Sequence, residues 1–460
     1  MDVVFHVLWV AFWGLLFLSL LVVFHEAGHY VVARAFGVRV TEFFLGLPCR
    51  LHISFKSRRH GTVFGVTPIL LGGYNRISGM APVPEGDMAR AFAIVQREGR
   101  VRADALAAEM GVSEDDAYSL LIALTDIVAI QPYFDPKLGE HPAQRDYPAA
   151  FETLARDANM ATEYDSEHDF TAPGMTEAAT PRPLDDPQAQ LECERARTYQ
   201  GLSFWKRLAV LVAGPIVNIV LAFAVVCGTY LCIEYQVGTN ANVIGKVYEG
   251  SLAEAAGLVD GDTVVEVAGT ATPDWVAVAK ALDAARKAGT DFEIVYERAG
   301  ERGSATIDMP EGEEVELIGV LAQTEPYHMS LAEAAQASID YAALVGSTAV
   351  KLLVPQHTME VLDNASSVVG ISVMVAEAVD SGLLDVLAII AAVSMSLGFM
   401  NLLPIPPLDG GKIVMEAVAA LMRRPIPARV ATSLSYVGVA FFLFIFSFAL
   451  RNDVLRYMLQ

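Results

Sequence analysis

Four long apolar runs punctuate the chain, separated by stretches with short β-type or helical patterns. A helix needs ~20 predominantly apolar residues to cross a bilayer. The first run extends from Val3 to Phe24 and continues in helical register through HEAGHYVVARAF. The others run from Arg207 to Ile233, from Leu384 to Leu403 and from Ala431 to Leu450. The first lacks a basic start and a small-residue cleavage site, so it reads as an uncleaved anchor. Basic residues set the orientation. Arg34, Arg39, Arg50, Lys56, Arg58 and Arg59 follow the first run, Lys206 and Arg207 open the second, and Arg423, Arg424 and Arg429 separate the last two. Four spans put all three clusters on one side, the cytoplasm. Both termini and the segment from Glu234 to Ser381 then lie outside a multi-pass protein of the cytoplasmic membrane.

Between the spans the periodicity changes. Gly61 to Met80, GTVFGVTPILLGGYNRISGM, alternates β-branched residues with paired glycines and predicts a β-hairpin that dips toward the membrane. From Ala89 to Phe134 the pattern is helical. ALAAEMGVSEDDAYSLL reads as a helix-turn-helix, and QPYF as the start of a wing. Asp135 to Glu194 is acidic and rich in Pro, Ala and Thr, the composition of a partly ordered linker. Farther on, NVIGKVYEG, DTVVEVAG, DFEIVYER and SATIDM read as strands, with the helix VAVAKALDAARKAG between the second and third. SLAEAAGLVDGDTVVEVAGTAT resembles the PDZ pattern, with Gly257-Leu258 and Gly261-Asp262 shaping a helix-to-strand turn. Such a domain either captures a peptide C-terminus by strand addition or serves as a spacer that blocks bulky substrates. Ser330 to Val354 reads as an amphipathic helix on the outer membrane surface.

The expected organisation is therefore a polytopic α-helical membrane protein with about four spans. It carries a membrane-associated β-hairpin, an external PDZ-like α/β domain and a cytoplasmic winged-helix-like insert. The segments are residues 1–36 (first span), 37–82 (hairpin region), 83–134 (helix-turn-helix-like insert), 135–203 (acidic linker) and 204–235 (second span). They continue as 240–310 (PDZ-like), 329–380 (interfacial helices), 384–412 (third span) and 428–451 (fourth span).

Composition agrees with a membrane protein. Of 460 residues 53% are apolar and 19% charged, against roughly 25% charged in soluble domains. The net charge of -22 excludes nucleic acid as an expected partner. The would-be recognition helix opens with Glu114, Asp115 and Asp116, which repel phosphate. Cys49, Cys193, Cys227 and Cys232 have no metal-site spacing and no readable disulfide framework.

The chemistry concentrates at two places. His25, Glu26 and His29 form H-E-x-x-H within the first span. Positions i and i+4 share a helix face, so both imidazoles can bind one metal ion while Glu26 takes a proton from water beside it. Ionisable groups at membrane depth are costly and need a partner or a task. The candidate third ligand is Asp409 in MNLLPIPPLDGGK, flanked by Gly410 and Gly411, which allow close approach. Pro404, Pro406 and Pro407 break the helix there and free backbone groups. The bland alternatives are a chance H-E-x-x-H and an Asp409 that merely caps the next helix. His6, His52, His60, His141, His168, His328 and His357 are assigned no metal role.

HEAGH, GGY, AGPIVN, the PDZ-like pattern and NLLPIPPLDGG occur here in the order found in the site-2 intramembrane metalloproteases. The chain resembles that family, especially its bacterial regulator-of-sigma-E type, over most of its length outside Val83–Tyr199. The resemblance implies one zinc ion per chain held by His25, His29 and Asp409, with Glu26 as catalytic base. It also implies substrate handling by Asn401 and Pro404, and by an edge strand near Gly72, Gly73 and Tyr74. Implied substrates are single-span membrane proteins already trimmed outside the bilayer, such as anti-sigma factors, and remnant signal peptides. The chain departs from the family pattern in having one clear PDZ-like copy and a long insert. It also has Val369-Gly370 where Gly-Pro is usual. Two rival readings remain: a non-catalytic scaffold using its PDZ-like and helix-turn-helix units, and a zinc-dependent chaperone or regulator with a degenerate site.

Overall fold

The computed structural model describes the chain except for residues 1, 82, 83, 85, 142–146, 167, 172, 311–316, 364, 425 and 458–460. The boundary expected at residues 82 and 83 lies outside the described residues. Two compact units emerge, one formed by residues 1–227 and 335–460, the other by 228–334.

In the first unit, the four apolar runs are helices Asp2–Ala35, Phe204–Cys232, Leu383–Asn401 and Ala428–Tyr457. Each is long and apolar enough to cross a membrane. The first is unbroken through HEAGH, so the metal motif stays on a regular helix. Its outer face exposes Phe5, Leu8, Phe12 and Leu20, side chains suited to lipid. Its inner face buries Phe17 and Leu21 against Val375 of the short helix Val368–Ser381. The amphipathic segment forms helices Leu331–Lys351 and Pro355–Asp363, bent by 118° at the break.

After the first span come four strands: β1 Val40–Leu45, β2 Ile53–Lys56, β3 Val63–Val66 and β4 Gly73–Ile77. Gly61–Met80 does not form the expected β-hairpin. Its two strands, β3 and β4, do not pair with each other, because β1 lies between them in the sheet order β2-β3-β1-β4. β1 runs parallel to β3 and antiparallel to β4. The physical reason is aromatic packing on β1. Phe44 stacks on Tyr74 across the β1–β4 pair at 5.3 Å, and Phe43 meets Tyr30 and Phe64 at 5.5 and 5.7 Å. β4 is left as an edge strand. At the other edge β2 exposes Ile53 and Phe55, and Leu51 just before it is also exposed.

The described residues of 86–201 form a packed body. Helices Met88–Glu98, Ala103–Met110 and Glu114–Asp126 surround a core of Phe92, Leu106, Leu120, Leu121 and Leu124. Ser113 caps the third of these helices by accepting from the Asp116 amide at 3.1 Å. A three-stranded sheet closes the body, with Ala150–Thr153 between Arg100–Arg102 and Ile130–Tyr133. The segment whose composition suggests a linker thus supplies a central strand. It also supplies the helix Pro187–Ala196, whose Leu191 joins the same core. What holds it is a buried ion network. Arg39, fully buried, reaches Asp165 at 2.8 Å and Glu194 at 2.7 Å, and Arg156 reaches Glu194 at 2.8 Å.

In the second unit, Thr270–Ala271, Thr263–Val267, Phe292–Arg298 and Glu301–Ile307 make a sheet in that order. Helix Trp275–Ala288 packs Val278 and Leu282 into its core. Asp262 is fully buried, accepts from the Val259 amide at 2.9 Å and pairs with Arg298 at 2.7 Å, which fixes the Gly257–Asp262 turn. Two further strand pairs, Ile244–Val247 with Val320–Ala322 and Tyr235–Gly238 with Thr324–Tyr327, extend the unit beyond 240–310.

Candidate metal centre

One turn of helix separates His25 from His29, so both rings leave the same face. Asp409 opens the helix Asp409–Met422 and points back at them. Its Oδ2 lies 3.0 Å from His25 Nε2 and 3.2 Å from His29 Nε2, and the two Nε2 atoms are 3.2 Å apart. All three residues are buried, at 7% exposure each. Among the described residues this is the one group of three or more His, Cys, Asp or Glu side chains close enough to share a metal ion.

Small residues make the convergence feasible. A Cβ on Gly214 would stand 2.3 Å from His29 Nε2, and one on Gly28 would stand 2.5 Å from the Ala213 carbonyl. AGPIVN therefore lets the second span press against the metal-motif turn. Gly410 and Gly411 do the same for the Asp409 helix, where a Cβ would meet the Leu402 carbonyl and the Pro406 nitrogen, each at 2.3 Å. His29 Nδ1 donates to the Val210 carbonyl at 2.7 Å, which fixes the tautomer and leaves Nε2 bare.

Two neutral imidazole nitrogens and one carboxylate oxygen are a donor set for zinc, which in hydrolases takes three protein ligands and keeps a position open. Separations of 3.0 to 3.2 Å fit three corners of a tetrahedron, whose edges for bonds of ~2.0–2.1 Å are about 3.3 Å. A cavity of about 170 Å³ opens beside the cluster. Glu26, His29, Asp409 and Lys412 line it, together with Gly73, Tyr74 and Asn75 of β4.

β4 thus brings Gly73 and Tyr74 to the cavity wall. Gly72 stands just outside it, its amide bonded to Ser19 Oγ at 3.1 Å. Asn401 and Pro404 are not brought in. The Asn401 amide bonds back to the Leu397 carbonyl of its own helix at 3.0 Å, and Pro404 is exposed. Sequence reasoning missed Asn75, whose Nδ2 donates to the Glu26 carbonyl at 3.3 Å, and Lys412, whose Nζ is 3.3 Å from Asp409 Oδ1. The spacing i, i+3 from Asp409 could have flagged the lysine.

Comparison with known proteins gives the family. The model of peptidase family M50 matches residues 13–445. The chain belongs to peptidase family M50. Relatives in that family align end to end. Zinc metalloprotease RasP of Shouchella clausii is 26% identical over 442 residues, covering 95% of this chain and 96% of its own. The regulator of sigma-W protease RasP of Bacillus subtilis is 23% identical, with the same coverage of both chains. As an M50 peptidase the chain is a zinc metalloprotease, and its apolar helices make it a multi-pass membrane protein.

Proposed function

We propose that this M50 peptidase hydrolyses peptide bonds within the transmembrane segments of single-span membrane proteins, with His25, His29 and Asp409 as zinc ligands and Glu26 as catalytic base. The observation carrying the proposal is the convergence of Asp409 on two imidazoles of a helix apolar enough to span a bilayer, beside an edge strand. Bound zinc supplies a Lewis acid that acidifies water and polarises a carbonyl. Glu26, on the cavity wall, receives the proton of the attacking water and returns it to the leaving nitrogen. A substrate helix must unwind first, because its own hydrogen bonds shield the scissile carbonyl. β4 offers the compensation. The Gly46 amide bonds the Gly72 carbonyl at 2.7 Å. Antiparallel alternation from that pair directs the main-chain groups of Gly73 and Asn75 away from β1, toward an incoming strand.

The wider reading follows the same logic. The basic clusters support a cytoplasmic location for residues 37–203 and an external one for the unit 228–334. The helix and strand order of 228–334 supports a PDZ-like module, which either captures a peptide C-terminus or excludes bulky substrates. The three helices and the strand order of residues 88–153 support a winged-helix-like body. Its acidic third helix favours a protein contact over nucleic acid. The Bacillus subtilis relative is named a regulator of sigma-W protease, which supports trimmed anti-sigma-like proteins as the substrate class.

The test is cleavage of a tagged single-span protein by purified enzyme in detergent, with product masses locating the cut. Scission inside the apolar segment, abolished by Glu26→Gln, is expected. Cleavage confined to the soluble tails would overturn the proposal.

A further inference from the structure

Attack on a peptide carbonyl places negative charge on its oxygen, and a preorganised donor aimed at that oxygen lowers the barrier. Most side-chain N–H and O–H donors of the cavity wall are already committed. Tyr74 donates its hydroxyl to Glu42 at 2.9 Å, Asn75 donates to the Glu26 carbonyl, and His29 donates from Nδ1 to Val210. Lys412 is the one Lys or Arg among the described residues lining the cavity. Its ammonium carries three donors. One faces Asp409 Oδ1 at 3.3 Å, and the half-exposed side chain leaves the others directed at open space.

The contact with Asp409 also matters. Oδ2 faces both imidazoles while Oδ1 faces Lys412, so the lysine holds the carboxylate turned with a single oxygen toward the metal position. Outer partners of this kind orient ligands and tune affinity.

From these contacts we infer that Lys412 is a further catalytic residue, which pins Asp409 through Oδ1 and presents its remaining N–H groups to the oxygen of the scissile carbonyl. The inference rests on the metalloprotease reading of the site. The step adds no co-reactant. Water's oxygen bonds to the carbonyl carbon as its proton goes to Glu26, the π pair moves onto the carbonyl oxygen, and Lys412 neutralises that charge until the pair returns, the C–N bond breaks and the nitrogen takes the proton from Glu26.

The test compares wild type, Lys412→Met, Lys412→Arg and Glu26→Gln, all purified in detergent and checked for an unchanged elution profile. Zinc affinity is read by chelator competition, and turnover on a single-span substrate is measured at saturating zinc. Lys412→Met is expected to weaken zinc binding about 10-fold. It should also lower kcat about 100-fold with KM little changed. Lys412→Arg, which keeps the charge, should restore most of both. Wild-type kcat in Lys412→Met at saturating zinc overturns the inference, whatever happens to affinity. Should Glu26→Gln itself cleave, the reading of the whole site fails. An inactive Glu26→Gln beside a fully active Lys412→Met fails only the lysine.

Discussion

At the scale of single residues the centre depends on what is missing from glycines as much as on the ligands. Gly214→Ala would drive a methyl group to 2.3 Å from His29 Nε2, against a span that cannot retreat without disturbing Ala213 and Pro215. Zinc affinity is expected to fall at least ~10-fold, measured by chelator competition on a variant that still inserts. Unchanged affinity would mean that the second span is not packed as described. The two histidines and Asp409 were legible in the sequence because i, i+4 spacing is local and the lone carboxylate within LPIPPLDGG is conspicuous. Lys412 and Asn75 were not. Their importance comes from where Asp409 and β4 arrive in space, which no local pattern encodes. Asn401 and Pro404, implied by resemblance alone, stand away from the cavity in this structure.

At the scale of elements, periodicity identified strands but not their partners. Gly61–Met80 contains two strands as expected, yet both pair with β1, a segment with no clean alternation whose Phe43 and Phe44 make aromatic contacts on opposite faces of the sheet. If β4 receives substrate as an added strand, Asn75→Pro removes an outward N–H without touching the β1 ladder. Cleavage should fall more than ~10-fold, whereas Asn75→Ala, which loses only the side-chain bond to Glu26, should fall less. Equal losses would assign the effect to the side chain. Zinc content of both variants serves as the control. The segment 135–203 was misjudged for a related reason. Its acidic composition resembles a linker, but its carboxylates are partners for buried arginines far away in sequence. Burial alone would raise the Asp165 pKa, but the hydrogen bond and charge of Arg39 hold it down at about 2, below the ordinary 3.8. The sign follows. The stabilisation is complete above pH ~4 and is lost as pH falls toward ~2, and is worth roughly 2 kcal/mol at neutral pH. Asp165→Asn should therefore speed hydrogen exchange across residues 150–200 at pH 7, with the difference from wild type shrinking below pH 3. A pH-independent difference would contradict it.

For the whole molecule, the four spans were the most legible feature, since the hydrocarbon core imposes length and apolarity directly on the sequence. Charge asymmetry predicts an orientation that labelling can test. Cys193, exposed in the helix Pro187–Ala196, should resist an impermeant maleimide in intact cells and react after lysis. A cysteine introduced at exposed Glu301 should react in intact cells. The reverse pattern would invert the topology. The central claim, that His25, His29 and Asp409 hold a zinc ion for peptide hydrolysis by Glu26, is tested most directly by bound zinc measured beside cleavage in the same preparations. Wild type and Glu26→Gln should each carry about one zinc per chain, and only wild type should cleave. Asp409→Ala should lose most of its zinc and its activity together. Full zinc occupancy in Asp409→Ala, or cleavage by Glu26→Gln, would contradict the account.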